Sequence, residues 1–113
     1  MNPDNLRKRI LVVDDEGDIL ELLSRRLQSW GYEVMTASSG KEALRIAEEK
    51  QPDLVLLDIV MPEIGGRDVC SQVRMNPKTR DIPVVFLTGL GMPEQIEAGI
   101  RVGANDYIVK PFE

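Results

Sequence analysis

Five short runs rich in Val, Ile and Leu alternate with longer segments of helical period, and this alternation constrains the fold more than any other feature of the chain. The runs are 10–14 (ILVVD), 33–37 (EVMTA), 54–58 (LVLLD), 84–88 (VVFLT) and 107–110 (YIVK). Between the first two, Ile19, Leu23, Leu27 and Trp30 recur on one helical face, with Gly31 as the stop. Trp30 is expected to pack against the sheet edge. Ser39 can cap a second helix through Ala43, Leu44 and Ala47, and Pro52 closes that connection. A third helix over 66–75 turns Val69, Cys70 and Val73 inward and ends at Asn76-Pro77; the tract 76–83 reads as a surface connection. A fourth starts at Pro93, with Glu94 near the positive end of its dipole, and Gly99 weakens it. Parallel strands need such crossovers, and their right-handedness places helices on both faces of an open sheet. The expected fold is α/β, a doubly wound five-stranded parallel sheet of the form (βα)4β. In such sheets ligands bind at the carboxyl ends of the strands, where the strand order reverses.

Composition narrows the chemistry available there. The chain has 113 residues, enough for one domain, with 42% apolar and 29% charged residues, the balance of a soluble globular protein. It has no His and a single Cys70, which excludes an internal disulfide, a zinc site of the usual nitrogen and sulfur kind, and histidine acid/base catalysis. A bound metal must be a hard one held by oxygen. A net charge of −5 and few aromatic residues argue against direct nucleic-acid binding. The polar start of the chain lacks the apolar segment of a secretory signal, and no apolar run approaches a membrane span. A cytoplasmic location without membrane attachment is expected. The triplet Arg7-Lys8-Arg9 reads as a solubilising edge.

The strand ends carry the informative residues. The first run leads into Asp14-Asp15-Glu16, the third ends in Asp58, the fourth in Thr88 and the fifth in Lys110. Asp-Asp after a strand is by itself often only a helix cap. Acid, acid, hydroxyl and ammonium delivered by four separate strand ends to one edge is a different matter. Gathered carboxylates repel unless something positive sits among them, and Lys110 or a divalent cation can serve. Oxygen ligands with room for water and a phosphate oxygen suit Mg²⁺. A carboxylate nucleophile beside that ion, with a hydroxyl and an ammonium for the remaining phosphoryl oxygens, makes a phosphoryl-acceptor site.

With these residues the chain resembles the receiver domain of two-component response regulators. The resemblance rests on 10–15 (ILVVDD), 56–62 (LLDIVMP) with Gly65-Gly66, 86–89 (FLTG) and 103–112 (GANDYIVKPF), and spans 9–113. It implies a flavodoxin-like sheet of strand order 2-1-3-4-5. It implies further that Asp58 accepts a phosphoryl group from a phosphohistidine of a sensor histidine kinase or phosphotransfer protein. By the same resemblance Asp15 binds Mg²⁺ directly, with Mn²⁺ as a substitute, and Asp14 does so through water. Asp58 and the backbone carbonyl of Val60 complete the protein ligands, and Thr88 and Lys110 hold phosphoryl oxygens. Thr88 and Tyr107 form a switch that alters the surface of the fourth helix and fifth strand, and Lys110-Pro111 resembles the family's cis peptide. Val60 and Leu90 occupy the positions that tune dephosphorylation; neither has a polar group to orient water, so a long-lived acyl phosphate is expected. Glu16 is not carried over and is read as a helix-terminus residue. The domain so implied catalyses its own phosphorylation and dephosphorylation without turning over an external substrate.

Two other readings remain. A Mg²⁺-dependent aspartyl phosphatase needs a second carboxylate two residues after its nucleophile, and Val60 stands there. A phosphorylation-independent interaction module could use the same fold. Nucleotide or flavin binding lacks a glycine-rich phosphate loop after the first strand. The expected organisation is an N-terminal extension over 1–8 and a receiver domain over 9–113 lacking its fifth helix. Apolar surface left uncovered beside the first helix would invite association, a homodimer included. An output domain or partner protein is expected but not identified.

Overall fold

The computed structural model describes residues 8–89, 97, 100–101 and 103–109. Strands β1 (Arg9–Val13), β2 (Glu33–Ala37), β3 (Leu54–Asp58), β4 (Val84–Thr88) and β5 (Asp106–Val109) alternate with helices α1 (Gly17–Ser29), α2 (Gly40–Lys50) and α3 (Gly66–Met75). All strand pairs are parallel and the sheet order is β2-β1-β3-β4-β5, the flavodoxin-like doubly wound arrangement. The expected helix from Pro93 lies largely outside the described residues, although Glu97, Ile100 and Arg101 are helical.

Alternation along the strands divides the core between two faces. Leu11 and Val13 of β1, Val55 and Leu57 of β3, and Phe86 of β4 pack with Ala43 and Ala47 of α2 and with Val69, Cys70 and Val73 of α3. Ile10 and Val12, with Leu56 and Leu87, meet Leu23 and Leu27 of α1 on the opposite face. Burying each such branched side chain contributes roughly 1.5–3 kcal/mol, so short strands suffice when both faces are covered.

The helix ends follow local chemistry. The Ser39 hydroxyl accepts the Glu42 amide at 3.2 Å while the Glu42 carboxylate accepts the Ser38 amide at 2.9 Å. Gly31, with φ at 94°, turns the chain out of α1. Trp30 departs from its expected place: it is 69% exposed. The helix stops at Ser29, and Trp30, as the C-terminal cap with φ −93° and ψ 5°, leaves the apolar stripe that Leu23 and Leu27 define. β1 runs one residue earlier than its apolar pattern, as does β5, so Asp14 stands just past the strand. Arg9 has a structural part in that earlier start. Its amide donates to the Asp53 carboxylate at 2.8 Å and its guanidinium to the Gln51 carbonyl at 2.7 Å. Among the described residues no helix is long and apolar enough to cross a membrane.

Candidate phosphoryl and metal site

The two halves of the sheet diverge between β1 and β3, and this is where the acidic residues stand. Val13 pairs with Leu57, so Asp14 and Asp58 occupy equivalent levels on adjacent strands. Asp14 and Asp58 are buried and Asp15 is exposed, and an oxygen from each lies within 4.8 Å of the others. Backbone donors orient the two buried carboxylates. Oδ1 of Asp14 accepts the Glu16 amide at 2.9 Å, and Oδ1 of Asp58 accepts the Val60 amide at 3.2 Å. The Asp14 amide donates to the Ala37 carbonyl at 3.2 Å, which ties the end of β1 to β2.

The cluster borders an open cavity of about 490 Å³ lined by Asp15, Glu16, Asp58, Ile59, Val60, Thr88 and Gly89. Thr88 ends β4 and is buried at this edge; its hydroxyl donates to the Gly89 carbonyl at 3.4 Å. Val60 is 58% exposed and gives the cavity mouth an apolar side chain. Tyr107 pairs with Phe86 across β4 and β5 and is exposed. Asp14, Asp15, Asp58, Val60 and Thr88 therefore come together, while Tyr107 lies out on β5. Lys110, Leu90 and the Lys110-Pro111 bond lie outside the described residues.

Two residues do more at the site than the sequence pattern predicts. Glu16 lines the cavity as well as standing at the α1 N-terminus, where its side chain makes no capping bond. Gly66 abuts the end of β3, its amide donating to the Ile59 carbonyl at 2.8 Å. The adjacency of Glu16 to Asp14-Asp15 was a usable signal for the first; the second depends on a through-space approach that spacing alone does not encode.

As a donor set, three carboxylates suit a hard divalent ion of Mg²⁺ type and offer nothing to a soft one. Burying two carboxylates side by side also favours a cationic neighbour.

Residues 10–113 match the family described as the response regulator receiver domain. The chain is 47% identical over 109 residues to the probable transcriptional regulator ycf27 of Porphyra purpurea, covering 96% of this chain and 44% of that protein. It is 43% identical over 107 residues to the alkaline phosphatase synthesis transcriptional regulatory protein PhoP of Bacillus subtilis, covering 95% and 44%. Among solved structures it is similar to the chemotaxis protein CheY4 of Vibrio cholerae, with a TM-score of 0.89, 37% identity and coverage of 95% of this chain and 89% of that one. The chain thus spans less than half the length of these curated relatives.

Proposed function

The chain belongs to the response regulator receiver domain family, and from that premise we propose that it is a phosphorylation-dependent switch whose acceptor is Asp58. Membership supports phosphorylation-based signalling with a histidine kinase as partner and an output domain as recipient. The observation that carries the assignment of Asp58 is the gathering of Asp14, Asp15 and Asp58 within 4.8 Å at the sheet's switch point.

In this reading Asp15, Asp58 and the Val60 carbonyl would hold Mg²⁺, and Asp14 would support it through water. When bound, the ion neutralises charge on the carboxylates and on the transferring phosphoryl group. An Asp58 oxygen attacks the phosphorus of a phosphohistidine; the P–N bond breaks and the imidazole leaves with its electron pair. The donor supplies the histidine, since this chain has none. The Thr88 hydroxyl and the Lys110 ammonium hold phosphoryl oxygens, and positioning provides most of the remaining rate. Thr88 then draws toward the phosphoryl group and Tyr107 turns inward, which changes the surface around β5 for the output partner. The apolar side chains of Val60 and Leu90 leave attacking water unoriented, so the acyl phosphate is long-lived. Val60→Asn with Leu90→Glu shortens its lifetime; an unchanged rate of phosphate loss would remove that role. The domain unit is 9–113, after an extension over 1–8, and it works in the cytoplasm.

Intact-mass measurement after incubation with acetyl phosphate, with and without Mg²⁺, tests the reading. The wild type gains one phosphoryl group only with Mg²⁺, and Asp58→Asn gains none. Labelling that persists in Asp58→Asn displaces Asp58 from the central role. No label in either protein favours a phosphorylation-independent interaction module.

A further inference from the structure

The chain over 59–65 leaves the end of β3 and returns to it. The Gly66 amide donates to the Ile59 carbonyl at 2.8 Å, so this loop closes where it began. Ile59 is tied in turn to β4, its amide donating to the Leu87 carbonyl at 3.1 Å. The side chains of Ile59 and Met61 are buried in the core shared by α2 and α3. Glu63 keeps φ at 66°, a left-handed conformation that a residue with a Cβ holds only where its surroundings impose it. The loop is thus closed and anchored, and it carries the Val60 amide that donates to Oδ1 of Asp58.

Gly66 sets the distance at which the loop closes. Among the described glycines only Gly31 and Gly103 have a positive φ, so the backbone at Gly66 does not require glycine. As the first residue of α3 it also gives up helix propensity relative to alanine. Close approach is the remaining reason for it. A Cβ on Gly66 would stand 2.8 Å from Cα of Ile59 and 3.0 Å from the carbonyl carbon of Asp58, and closer still to the Asp58 carbonyl oxygen. All three are main-chain atoms, so no side-chain rotation makes room. Retreat toward α2 is blocked as well. At the start of α2, a Cβ on Gly40 would lie 2.7 Å from Cγ2 of Val69 and 3.0 Å from the Ile64 carbonyl oxygen. Two bare backbones therefore hold the loop between the end of β3 and the start of α2.

We propose that Gly66 is a positioning residue for phosphoryl transfer at Asp58. Its lack of a side chain lets α3 close onto β3, which fixes the Asp58 main chain and, through the Val60 amide, the direction of the Asp58 carboxylate. The role rests on the acceptor reading above and adds a residue that touches no reacting atom. Asp14 and Asp15 follow β1 and are not braced by this loop. A displaced Asp58 therefore changes the spacing inside the 4.8 Å cluster instead of moving the cluster as a whole.

The test measures Mg²⁺ affinity by calorimetry and the acetyl phosphate labelling rate at saturating Mg²⁺, with urea unfolding as the reference for stability. Gly66→Ala is expected to bind Mg²⁺ about tenfold more weakly, the scale seen when groups that orient metal ligands are changed. It should label about tenfold more slowly, the scale of a misplaced reacting group. Gly65→Ala, whose Cβ would make only an ordinary contact with the Ile59 carbonyl, keeps wild-type affinity and rate. Thr79→Val removes a hydrogen bond near the opposite end of α3 and is the stability control; it unfolds at lower urea with both site values unchanged. Gly40→Ala presses on the same loop through Ile64 and gives a smaller loss of both values. Wild-type affinity and rate in Gly66→Ala overturn the proposal, because the close approach would then serve stability alone. Equal losses in Gly65→Ala or Thr79→Val overturn it too, since they would mark a general response of α3. Should Gly66→Ala not fold, Gly40→Ala decides, and wild-type values there overturn the proposal. Failure of the wild type to label removes the acceptor reading and this role with it, whereas a labelled wild type with an unaffected Gly66→Ala removes this role alone.

Discussion

Gly66 approaches Asp58 so closely that a Cβ on it would lie 2.2 Å from the Asp58 carbonyl oxygen. The contact is backbone against backbone, so no rotamer change relieves it. Gly65, its neighbour, would place a Cβ 3.6 Å from the Ile59 carbonyl, an ordinary contact. Gly66→Ala should therefore cost about 1–3 kcal/mol, the scale of overpacking in a close-packed interior, while Gly65→Ala costs less. Urea denaturation of the two variants measures the difference. Comparable losses would show that the α3 N-terminus can shift away from β3.

The carboxylate cluster predicts stability linked to metal. A ligand that binds only the folded chain stabilises it by about 2.7 kcal/mol at a concentration one hundred times its dissociation constant. Mg²⁺ should raise the urea midpoint of the wild type accordingly, and Asp15→Asn should reduce the effect. Asp15 is the apt position because it is the exposed member of the cluster, so its substitution disturbs packing least. An undiminished Mg²⁺ effect in Asp15→Asn would take that residue out of the ligand set.

The sheet and the acidic corner were legible because each rests on a local signal. Val, Ile and Leu runs mark the strands, and their terminal polar residues mark the edge where Asp14, Asp58 and Thr88 meet. The three helices bury the residues that their spacing selects, Leu23 and Leu27, Ala43 and Ala47, and Val69, Cys70 and Val73. Trp30 was misread because periodicity continues past the point where cap geometry ends the helix. Arg74 and Thr79 were invisible for another reason. Apart from Oδ1 of Asn105, which also accepts from Arg74, their partners are main-chain carbonyls, and a sequence does not record which carbonyls a fold leaves in need of a donor.

Thr79 illustrates this within the tract 76–83, expected to be a surface connection. Its side chain is buried, and its hydroxyl donates to the Val73 carbonyl at 2.8 Å, near the C-terminal end of α3. Thr79→Val keeps the shape and removes the donor, leaving the carbonyl to bear its desolvation, which costs about 1–3 kcal/mol. Thr79→Ser keeps the donor and should lose less. Thermal or urea unfolding of the pair separates hydrogen bonding from packing; a Val variant as stable as wild type would mean that another donor reaches that carbonyl.

Cys70 gives the fold a dependence on alkaline pH. Burial against the sheet pushes its thiol above the ordinary 9.0, and the positive charge of Arg74 one turn later partly offsets the rise. In the unfolded chain the thiol ionises first, so above about pH 9 the unfolded state binds fewer protons than the native one and stability falls as pH rises. Below that range both states hold the proton and the contribution is complete. Cys70→Ala retains every other alkaline titration, including those of Lys and Tyr, which cancel in the comparison. The wild type should therefore lose part of its stability advantage over Cys70→Ala between about pH 8 and pH 10. Constant separation of the two urea midpoints across that interval would show that the buried thiol ionises as readily in the folded protein as in the unfolded one.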